Sequence, residues 1–299
     1  MRRRNRLALI AVSAYMIVPV PSAAAGSVAG PARLVGGTAR VANVAHRGAS
    51  AYAPENTIAA FKLAVSQRAD VIEVDVQESK DHELVLMHDT TLARTTNVEE
   101  VYPDRAPWKV SEFTLAEIRK LDAGSWFGKK YRGERVPTLG QTLTVMRGRG
   151  PGLLLEIKSP ALYPGIETRV AGALRRSPSW LRDDPAGRRL VVQSFDWRSM
   201  RRFHAVLPRV PIGLLGAPKV EELPGFASFA DQINPPWRGL SAAYVKKVHA
   251  ARMEVLTWTI DHKVDMRKAV LLGVDGIITN KPDVLRSVLG ETAAKGSAA

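Results

Sequence analysis

The chain has 299 residues, a formal net charge of +14 and no cysteine. This length suits one large domain, and the lack of cysteine excludes disulfides, thiolate metal sites and a cysteine-linked lipid anchor. No recognition-helix, zinc-finger or aromatic RNA-binding pattern accompanies the basic charge, so we expect no nucleic-acid partner.

The N-terminus predicts a secreted protein. Residues 1–6 include four arginines, an apolar stretch covers 7–20, and Ala23-Ala24-Ala25 has the small-residue form of a cleavage site, as in a secretory signal peptide. We predict a signal peptide at 1–25, a flexible Gly- and Ala-rich leader at 26–40, and no stable membrane anchor, because the apolar stretch is too short to span a bilayer. Cleavage would leave a net charge of +10, which favours contact with anionic envelope polymers.

Eight apolar segments follow, and we predict that they are β-strands. They lie at residues 41–46, 71–76, 84–88, 153–158, 190–194, 210–215, 255–260 and 276–279. Helical patterns separate most of them, at 57–66, 166–176, 197–207, 242–251 and 264–272. Strands alternating with helices predict a parallel sheet, and eight repeats predict an α/β fold of the TIM-type (β/α)8 barrel class over residues 41–289.

Two connections depart from this regular pattern. Residues 77–83 are too few for a crossover helix, so the chain must return there in extended form or as a hairpin. Between strands 3 and 4 the chain carries an insertion at about residues 90–150, with a helical piece at 114–121, which we expect to cap one end of the barrel. The small-residue end, 290–299, is predicted to be a disordered tail.

Acidic residues interrupt two of the aliphatic strands. Glu73 and Asp75 alternate with aliphatic residues, which puts both carboxylates on one face of their strand. At a separation of about 5 Å they would repel by about 3 kcal/mol, so both stay ionised only if a cation lies between them. Glu156, in a second aliphatic strand, could complete the set. All-oxygen ligation of this kind favours one divalent cation, Ca2+ or Mg2+.

Two histidines stand at strand ends, where barrels of this class place their chemistry. His46 ends the first predicted strand and His88 the third, and such a pair can divide general-acid and general-base roles. Arg47 and Lys158 add positive charge at the same rim. With a divalent cation, this set predicts cleavage of a phosphodiester. The remaining histidines are expected to be ordinary surface or core residues: His82, His204, His249 and His262.

Taken together, the motifs resemble those of the glycerophosphodiester phosphodiesterase family over nearly the whole mature chain. They follow the family's order: His46-Arg47-Gly48, Pro54-Glu55-Asn56-Thr57, Glu73-Val74-Asp75, His88-Asp89, Glu156-Ile157-Lys158, Gln193-Ser194-Phe195 and Trp258-Thr259. The resemblance implies metal-dependent hydrolysis of small-molecule glycerophosphodiesters to sn-glycerol 3-phosphate and an alcohol. A glycerol-phosphate polymer of the cell envelope is a second candidate substrate.

The resemblance also implies roles for single residues. These are metal binding by Glu73, Asp75 and Glu156, acid–base catalysis by His46 and His88, phosphate contact by Arg47 and Lys158, and pocket lining by Gln193 and Trp258. For Glu55 and Asn56 a structural role explains the residue about as well as a role in the site does. Glu55 would brace the rim, and Asn56, with Thr57, would cap the helix that follows. One departure is Asn280, where the family usually has an acid. We expect Asn280 to lie outside direct contact with metal and substrate, and activity to survive the change.

Two alternatives stay open at this point. The first is a phospholipase D-like lipid phosphodiesterase of the sphingomyelinase type, although the long insertion and the absence of cysteine count against it. The second is a non-catalytic protein that binds envelope polyanions and retains a barrel. The complete set of acids, histidines and Lys158 favours an enzyme over this second alternative.

Overall fold

The computed structural model describes residues 40–182 and 189–296. The predicted signal peptide and the predicted leader, apart from Arg40, lie outside the described residues, as do residues 183–188 and 297–299. Within the two described ranges, no helix has the length and apolar character that a membrane span requires.

Nine strands form one sheet. They are β1 Ala42–Ala45, β2 Val71–Glu78, β3 Leu84–Leu86, β4 Gly152–Ile157, β5 Leu190–Ser194, β6 Ile212–Leu215, β7 Gln232–Asn234, β8 Glu254–Thr257 and β9 Gly276–Thr279. The order is β1-β9-β8-β7-β6-β5-β4-β2-β3, and β1 also pairs with β2. Eight parallel strands therefore close on themselves, which confirms the predicted (β/α)8 barrel.

The third strand is not a barrel strand, and this corrects the predicted set of eight. β3 pairs antiparallel with β2, with Val76 opposite Leu86 and Glu78 opposite Leu84, so the short connection at 77–83 makes a hairpin. The eighth barrel strand is β7, which the sequence analysis missed. It has only three residues, two of them amides, so it lacks the apolar run by which the other strands were found.

Helices cover the outside of the barrel, and short helices occupy the insertion. The α-helices are α1 Ile58–Ser66, α2 Val98–Val101, α3 Leu115–Ile118, α4 Leu139–Met146, α5 Ile166–Arg175, α6 Trp197–Val206, α7 Leu223–Phe226, α8 Ala242–Ala250, α9 Lys263–Leu272 and α10 Pro282–Gly296. One-turn 3-10 helices lie at Pro103–Arg105, Val110–Glu112, Lys129–Tyr131, Pro160–Leu162, Pro178–Leu181 and Val220–Glu222.

Side-chain caps mark several helix starts, because each cap satisfies a backbone N–H that the first turn leaves free. Thr57 accepts from the backbone of Ala60 at the start of α1. Thr114 and Glu117 form a capping box on α3, which ends at Ile118 and is shorter than the predicted helix at 114–121. The last helix, α10, continues through Gly296 and so runs past residue 290, where the tail was predicted to begin.

The hydrophobic core has three parts. One part lies inside the barrel and consists of small and branched side chains from six of its strands. These are Ala42, Val44, Val71, Leu154, Val191, Leu256 and Ile278. A larger cluster fills the layer between strands and helices and includes Phe61, Ile72, Leu155 and Phe203. Toward the carboxyl ends of β2 and β4 the strands instead carry the acidic residues Glu73, Asp75 and Glu156, at the end of the barrel where enzymes of this fold place their chemistry.

The insertion has a core of its own. Leu92, Phe113, Ile118 and Leu121 are fully buried there, together with six further apolar residues. It joins the barrel beside the β2–β3 hairpin, where the Leu86 amide donates to the Pro137 carbonyl. The Tyr131 hydroxyl donates to the Tyr52 carbonyl, 2.6 Å away, in the loop after β1.

Candidate active site

Three carboxylates meet inside the barrel. Glu73 and Asp75 project from the same face of β2, and Glu156 projects from β4 at the position paired with Asp75. One oxygen from each of the three lies within 4.8 Å of the others, and all three residues are buried. The alternation of β2 and the parallel register of β4 therefore bring together the three acids that were predicted as metal ligands.

Burial and mutual repulsion make this cluster unfavourable by itself. Burial, then the charges of Asp75 and Glu156, raise the pKa of Glu73 well above its usual value. Burial and the charge of Asp75 raise the pKa of Glu156 to about 7. Burial also opposes ionisation of Asp75, but Arg47 and Lys158 outweigh it and lower the pKa of Asp75. The acids with raised pKa are those that a bound cation would stabilise most as carboxylates.

Two basic side chains partly compensate the negative charge. The Arg47 Nε lies 3.1 Å from Asp75 Oδ2, and the Arg47 backbone amide donates to Glu73 Oε2 at 2.8 Å. The Lys158 Nζ lies 2.8 Å from Glu156 Oε1 and 3.8 Å from Asp75 Oδ1. Both cations therefore border the carboxylate cluster, where an anionic substrate group would meet them.

The loop after β1 is held in an unusual conformation by this cluster. Arg47 and Asn56 have positive φ angles of 56° and 55°, which non-glycine residues rarely adopt. In this conformation the Asn56 Nδ2 donates to Asp75 Oδ2 at 2.8 Å, and its Oδ1 accepts from the Asp75 amide. Thr57 caps α1, so the role of Asn56 is to hold Asp75 and not to cap the helix.

His46 is half-buried and has a neutral partner. Its Nδ1 lies 2.7 Å from Asn280 Oδ1. The Nδ2 group of Asn280 donates to Asp261 Oδ2 at 2.6 Å, which orients its oxygen toward the histidine. Burial, followed by the charge of Arg47, lowers the pKa of His46 to about 4. Asn280, expected outside direct contact with metal and substrate, thus contacts a predicted catalytic residue.

His88 has a charged partner instead. Its Nδ1 lies 2.6 Å from Asp89 Oδ1, and Asp89 also accepts from Arg94 Nε at 2.6 Å. Arg94 hydrogen bonds and, to a smaller extent, the His88 contact lower the pKa of Asp89 to about 2. Arg94 also binds both oxygens of Glu55 at 2.8 Å, and Glu55 accepts from Arg47 Nη1 at 2.9 Å. A continuous chain of charges thus joins His88 to the carboxylate cluster.

Sequence reasoning gave no role to Asp89, Arg94 or Asp261. Asp89 follows His88 directly, so its contact had a local signal. Arg94 and Asp261 are in loops, and only the fold shows what they reach.

Gln193 lies on β5, next to β4, and Trp258 follows β8 directly. Gln193 is paired with Glu156 across β4 and β5, and its Oε1 accepts from Asn234 Nδ2 at 2.8 Å. Gly213 leaves room for this contact, since a Cβ there would come within 2.8 Å of the Asn234 amide nitrogen. Trp258 donates through Nε1 to the Asn234 carbonyl and packs edge-on against Phe195, which is 54% exposed.

The remaining histidines have other surroundings. His82 contacts Glu78, and His249 contacts Asp275. His204 packs edge-on against Phe229. His262 occupies the N-cap position of α9 without a side-chain cap hydrogen bond. None of these contacts involves the carboxylate cluster, as was expected.

The cluster fits a divalent cation on two independent grounds. Asp75 Oδ1 is buried and has no hydrogen-bond partner, although such atoms are rarely left unpaired. The ion pairs of the site join four carboxylates to three basic side chains, and Glu73 adds a fifth carboxylate, which leaves a formal charge of −2 when all are ionised. Hard carboxylate oxygens suit Ca2+ or Mg2+.

Comparison with known proteins agrees with this site. Residues 46–284 match the model of the glycerophosphoryl diester phosphodiesterase family. A glycerophosphodiester phosphodiesterase of Bacillus subtilis is 33% identical over 96% of this chain and 99% of its own length. One from Caldanaerobacter subterraneus is 39% identical over 81% of this chain and 95% of its own. The chain belongs to the glycerophosphoryl diester phosphodiesterase family.

A solved member of this fold gives a structural match. An Oleispira antarctica phosphodiesterase, in complex with the product sn-glycerol-3-phosphate, superimposes with a TM-score of 0.73 and 29% sequence identity. The match covers 83% of this chain and 96% of the Oleispira chain.

Removal of one carboxylate should abolish the effect of a divalent cation on stability. A cation that binds only the folded wild-type chain should raise its free energy of unfolding by about 2.7 kcal/mol at 100 times the Kd. Glu73→Gln should lose most of this gain, because it removes one charged ligand. Thermal unfolding with EDTA and with added Ca2+ or Mg2+ measures the difference.

The same measurement has a defined pH dependence. Because the pKa of Glu156 is raised to about 7, its contribution stabilises the metal-free fold at low pH and is lost as pH rises from about 4.5 to 7. The stabilisation by metal should therefore be larger at pH 8 than at pH 6.

Glu167→Gln is the matched control for Glu73→Gln, because Glu167 is also a buried carboxylate but bonds Ser199 and Arg202. Equal metal effects in both variants would place the cation elsewhere.

Proposed function

We propose that this protein is a secreted, metal-dependent hydrolase that cleaves glycerophosphodiesters to sn-glycerol 3-phosphate and an alcohol. The observation that carries the proposal is a buried carboxylate triad, bordered by Arg47 and Lys158, beside two histidines with different partners. Family membership and the product named in the Oleispira complex support this substrate class.

The chain's own residues would bind the phosphate and the cation. Glu73, Asp75 and Glu156 would hold one Ca2+ or Mg2+ ion, which when bound neutralises negative charge on the phosphoryl oxygens. Arg47 and Lys158 already lie beside these acids and would contact the same phosphate, and fixed positive groups of this kind stabilise the charge that develops in the transition state.

His46 is suited to be the general base. Its Nδ1–H donates to Asn280 Oδ1, so the lone pair at Nε2 is free to accept a proton. Burial and Arg47 lower its pKa to about 4, which keeps the ring neutral at neutral pH. A neutral amide partner adds no charge that would favour the imidazolium before the reaction.

His88 is suited to be the general acid. Its Nδ1 contacts the Asp89 carboxylate, and a carboxylate in this position orients the ring and stabilises the imidazolium. In the proposed step His46 accepts the proton of the attacking hydroxyl as its oxygen bonds to phosphorus. The bond from phosphorus to the alcohol oxygen breaks, and His88 gives that oxygen a proton. If the attacking hydroxyl is that of water, this step releases sn-glycerol 3-phosphate directly; if it is a hydroxyl of the glycerol moiety, the step leaves a cyclic phosphate that a water molecule then opens to the same product.

Gln193 and Trp258 would line the pocket beside Glu156. Trp258 and Phe195 present ring surface next to Lys158, whose Nζ lies 5.7 Å from the centre of the Phe195 ring. Apolar ring surface of this kind would contact the carbon atoms of glycerol or of the leaving alcohol.

The proposed reaction is tested by incubating the purified chain with glycerophosphocholine. We expect release of sn-glycerol 3-phosphate that EDTA abolishes and that added Ca2+ or Mg2+ restores. Release of a cyclic phosphate from a lysolipid, with glycerophosphocholine intact, would instead indicate the sphingomyelinase-type reaction. Binding of a glycerol-phosphate polymer without turnover and without metal would indicate a polyanion-binding protein.

The two histidine roles predict different responses to the leaving group. His46→Ala should lower kcat by about 100-fold or more on alkyl and p-nitrophenyl diesters alike, because both need the base. His88→Ala should lower it comparably on the alkyl diester but much less on the p-nitrophenyl diester, since nitrophenolate leaves without a proton. Steady-state rates on both substrates measure the contrast.

His204→Ala is the control for these variants, because its ring packs on Phe229 away from the carboxylates. It should leave both rates near those of the wild type. If His46→Ala rather than His88→Ala were rescued by the better leaving group, the two assignments would have to be exchanged.

Secretion is proposed on the sequence of the first 25 residues. A chain expressed with its own N-terminus should be recovered from outside the cytoplasm, and its N-terminal sequence should start after Ala25. Recovery of a chain that still begins at Met1, inside the cells, would contradict this proposal.

A further inference from the structure

Gln77 is a buried polar residue to which the acid–base chemistry assigns no task. It lies two positions after Asp75, on the same face of β2, and is completely buried. Its Nε2 lies 2.8 Å from the carbonyl oxygen of Met87, 3.2 Å from that of His88 and 2.6 Å from that of Asp89. With two hydrogens to donate, the amide makes its shortest contacts to the two residues that flank His88.

Chemistry alone decides which way this amide points. The three backbone carbonyls can only accept, so the NH2 group must face them. On the other side, Gln77 Oε1 accepts from the Tyr163 hydroxyl at 2.8 Å. Tyr163 is buried and follows the 3-10 helix after β4. One side chain therefore connects the ends of β2 and β4 to the segment that carries His88.

The segment has few other ties to the barrel. β3 ends at Leu86, and the Met87 amide then donates to the Asp75 carbonyl at 3.0 Å. For His88 and Asp89, the backbone carbonyls are held by Gln77. The side chain of Asp89 also reaches Glu55, in the loop after β1, through Arg94. That route runs through three side chains, whereas Gln77 joins the backbone on both sides of His88 directly to β2.

We propose that Gln77 is a positioning residue that holds His88 at the reaction centre, with Tyr163 as its support. The inference rests on the proposed function, because it assigns the proton donor to a fixed place beside Asp75. This role gives a physical reason why position 77, which is buried in β2, holds an amide and not an apolar side chain. A displacement of about 1 Å in a catalytic group can cost about 100-fold in rate.

The test replaces the amide by an apolar side chain of similar length. Gln77→Met should lower kcat on glycerophosphocholine roughly ten- to a hundredfold, with little change in KM, because proton donation matters only in the transition state. On the p-nitrophenyl diester of glycerol phosphate the loss should largely disappear. Tyr163→Phe should show the same pattern with a smaller loss and is the milder variant for folding.

Gln232→Met is the matched control. Gln232 is also a buried amide of the barrel, but its Nε2 bonds Glu254, at 3.0 Å. Any general damage to the barrel should lower both rates by the same factor in this variant. Equal losses on both substrates in Gln77→Met, or no loss at all, would overturn the proposal.

A second readout does not depend on turnover. In NMR spectra of the histidine rings, His88 in the wild type should give one sharp set of ring signals. Gln77→Met should shift or broaden this set, because the backbone around His88 loses its contact with β2, while the His46 signals stay unchanged. Unchanged His88 signals would overturn the positioning role. Failure of the wild type to cleave glycerophosphocholine would overturn the proposed function only, because the ring signals still report the placement of His88.

Discussion

Mutual repulsion of three buried carboxylates is the constraint on which the rest of this site depends. Each pair at about 5 Å repels by about 3 kcal/mol, and all three carboxylates are buried. Arg47, Lys158 and the Asn56 amide offset part of this cost. The strained backbone at Arg47 and Asn56 is tolerated because it delivers these groups. The remaining negative charge is what a divalent cation would neutralise.

The same local field explains why the two histidines differ. His46 lies beside Arg47, so a second positive charge on its ring is unfavourable, and its partner Asn280 is neutral. His88 has the Asp89 carboxylate as its partner instead. An acid in place of Asn280 would lie against Asp261, and two carboxylates in that contact would repel. The side-chain amide of Asn280 avoids this repulsion and still contacts His46.

The β2–β3 hairpin connects this electrostatic centre to the insertion. β2 continues three residues past Asp75. The hairpin then returns the chain to Asp75, whose carbonyl accepts from the amide of Met87, the residue before His88. The hairpin also supplies Val85 to the separate core of the insertion. The insertion and His88 are thus anchored to the same strand that carries two of the three carboxylates.

Local sequence was sufficient for the barrel class, for seven of its eight strands and for the selection of the three carboxylates with Arg47 and Lys158. Period-two alternation, aliphatic runs and the spacing of acids report directly on strand faces and strand ends. It was insufficient for β7, for the direction of β3, and for the partners Asn280, Asp261 and Arg94, because these contacts join residues distant in sequence. Local pattern determined which groups this protein presents; only the closing of the barrel decided which of them meet, because closure sets the register between distant strands.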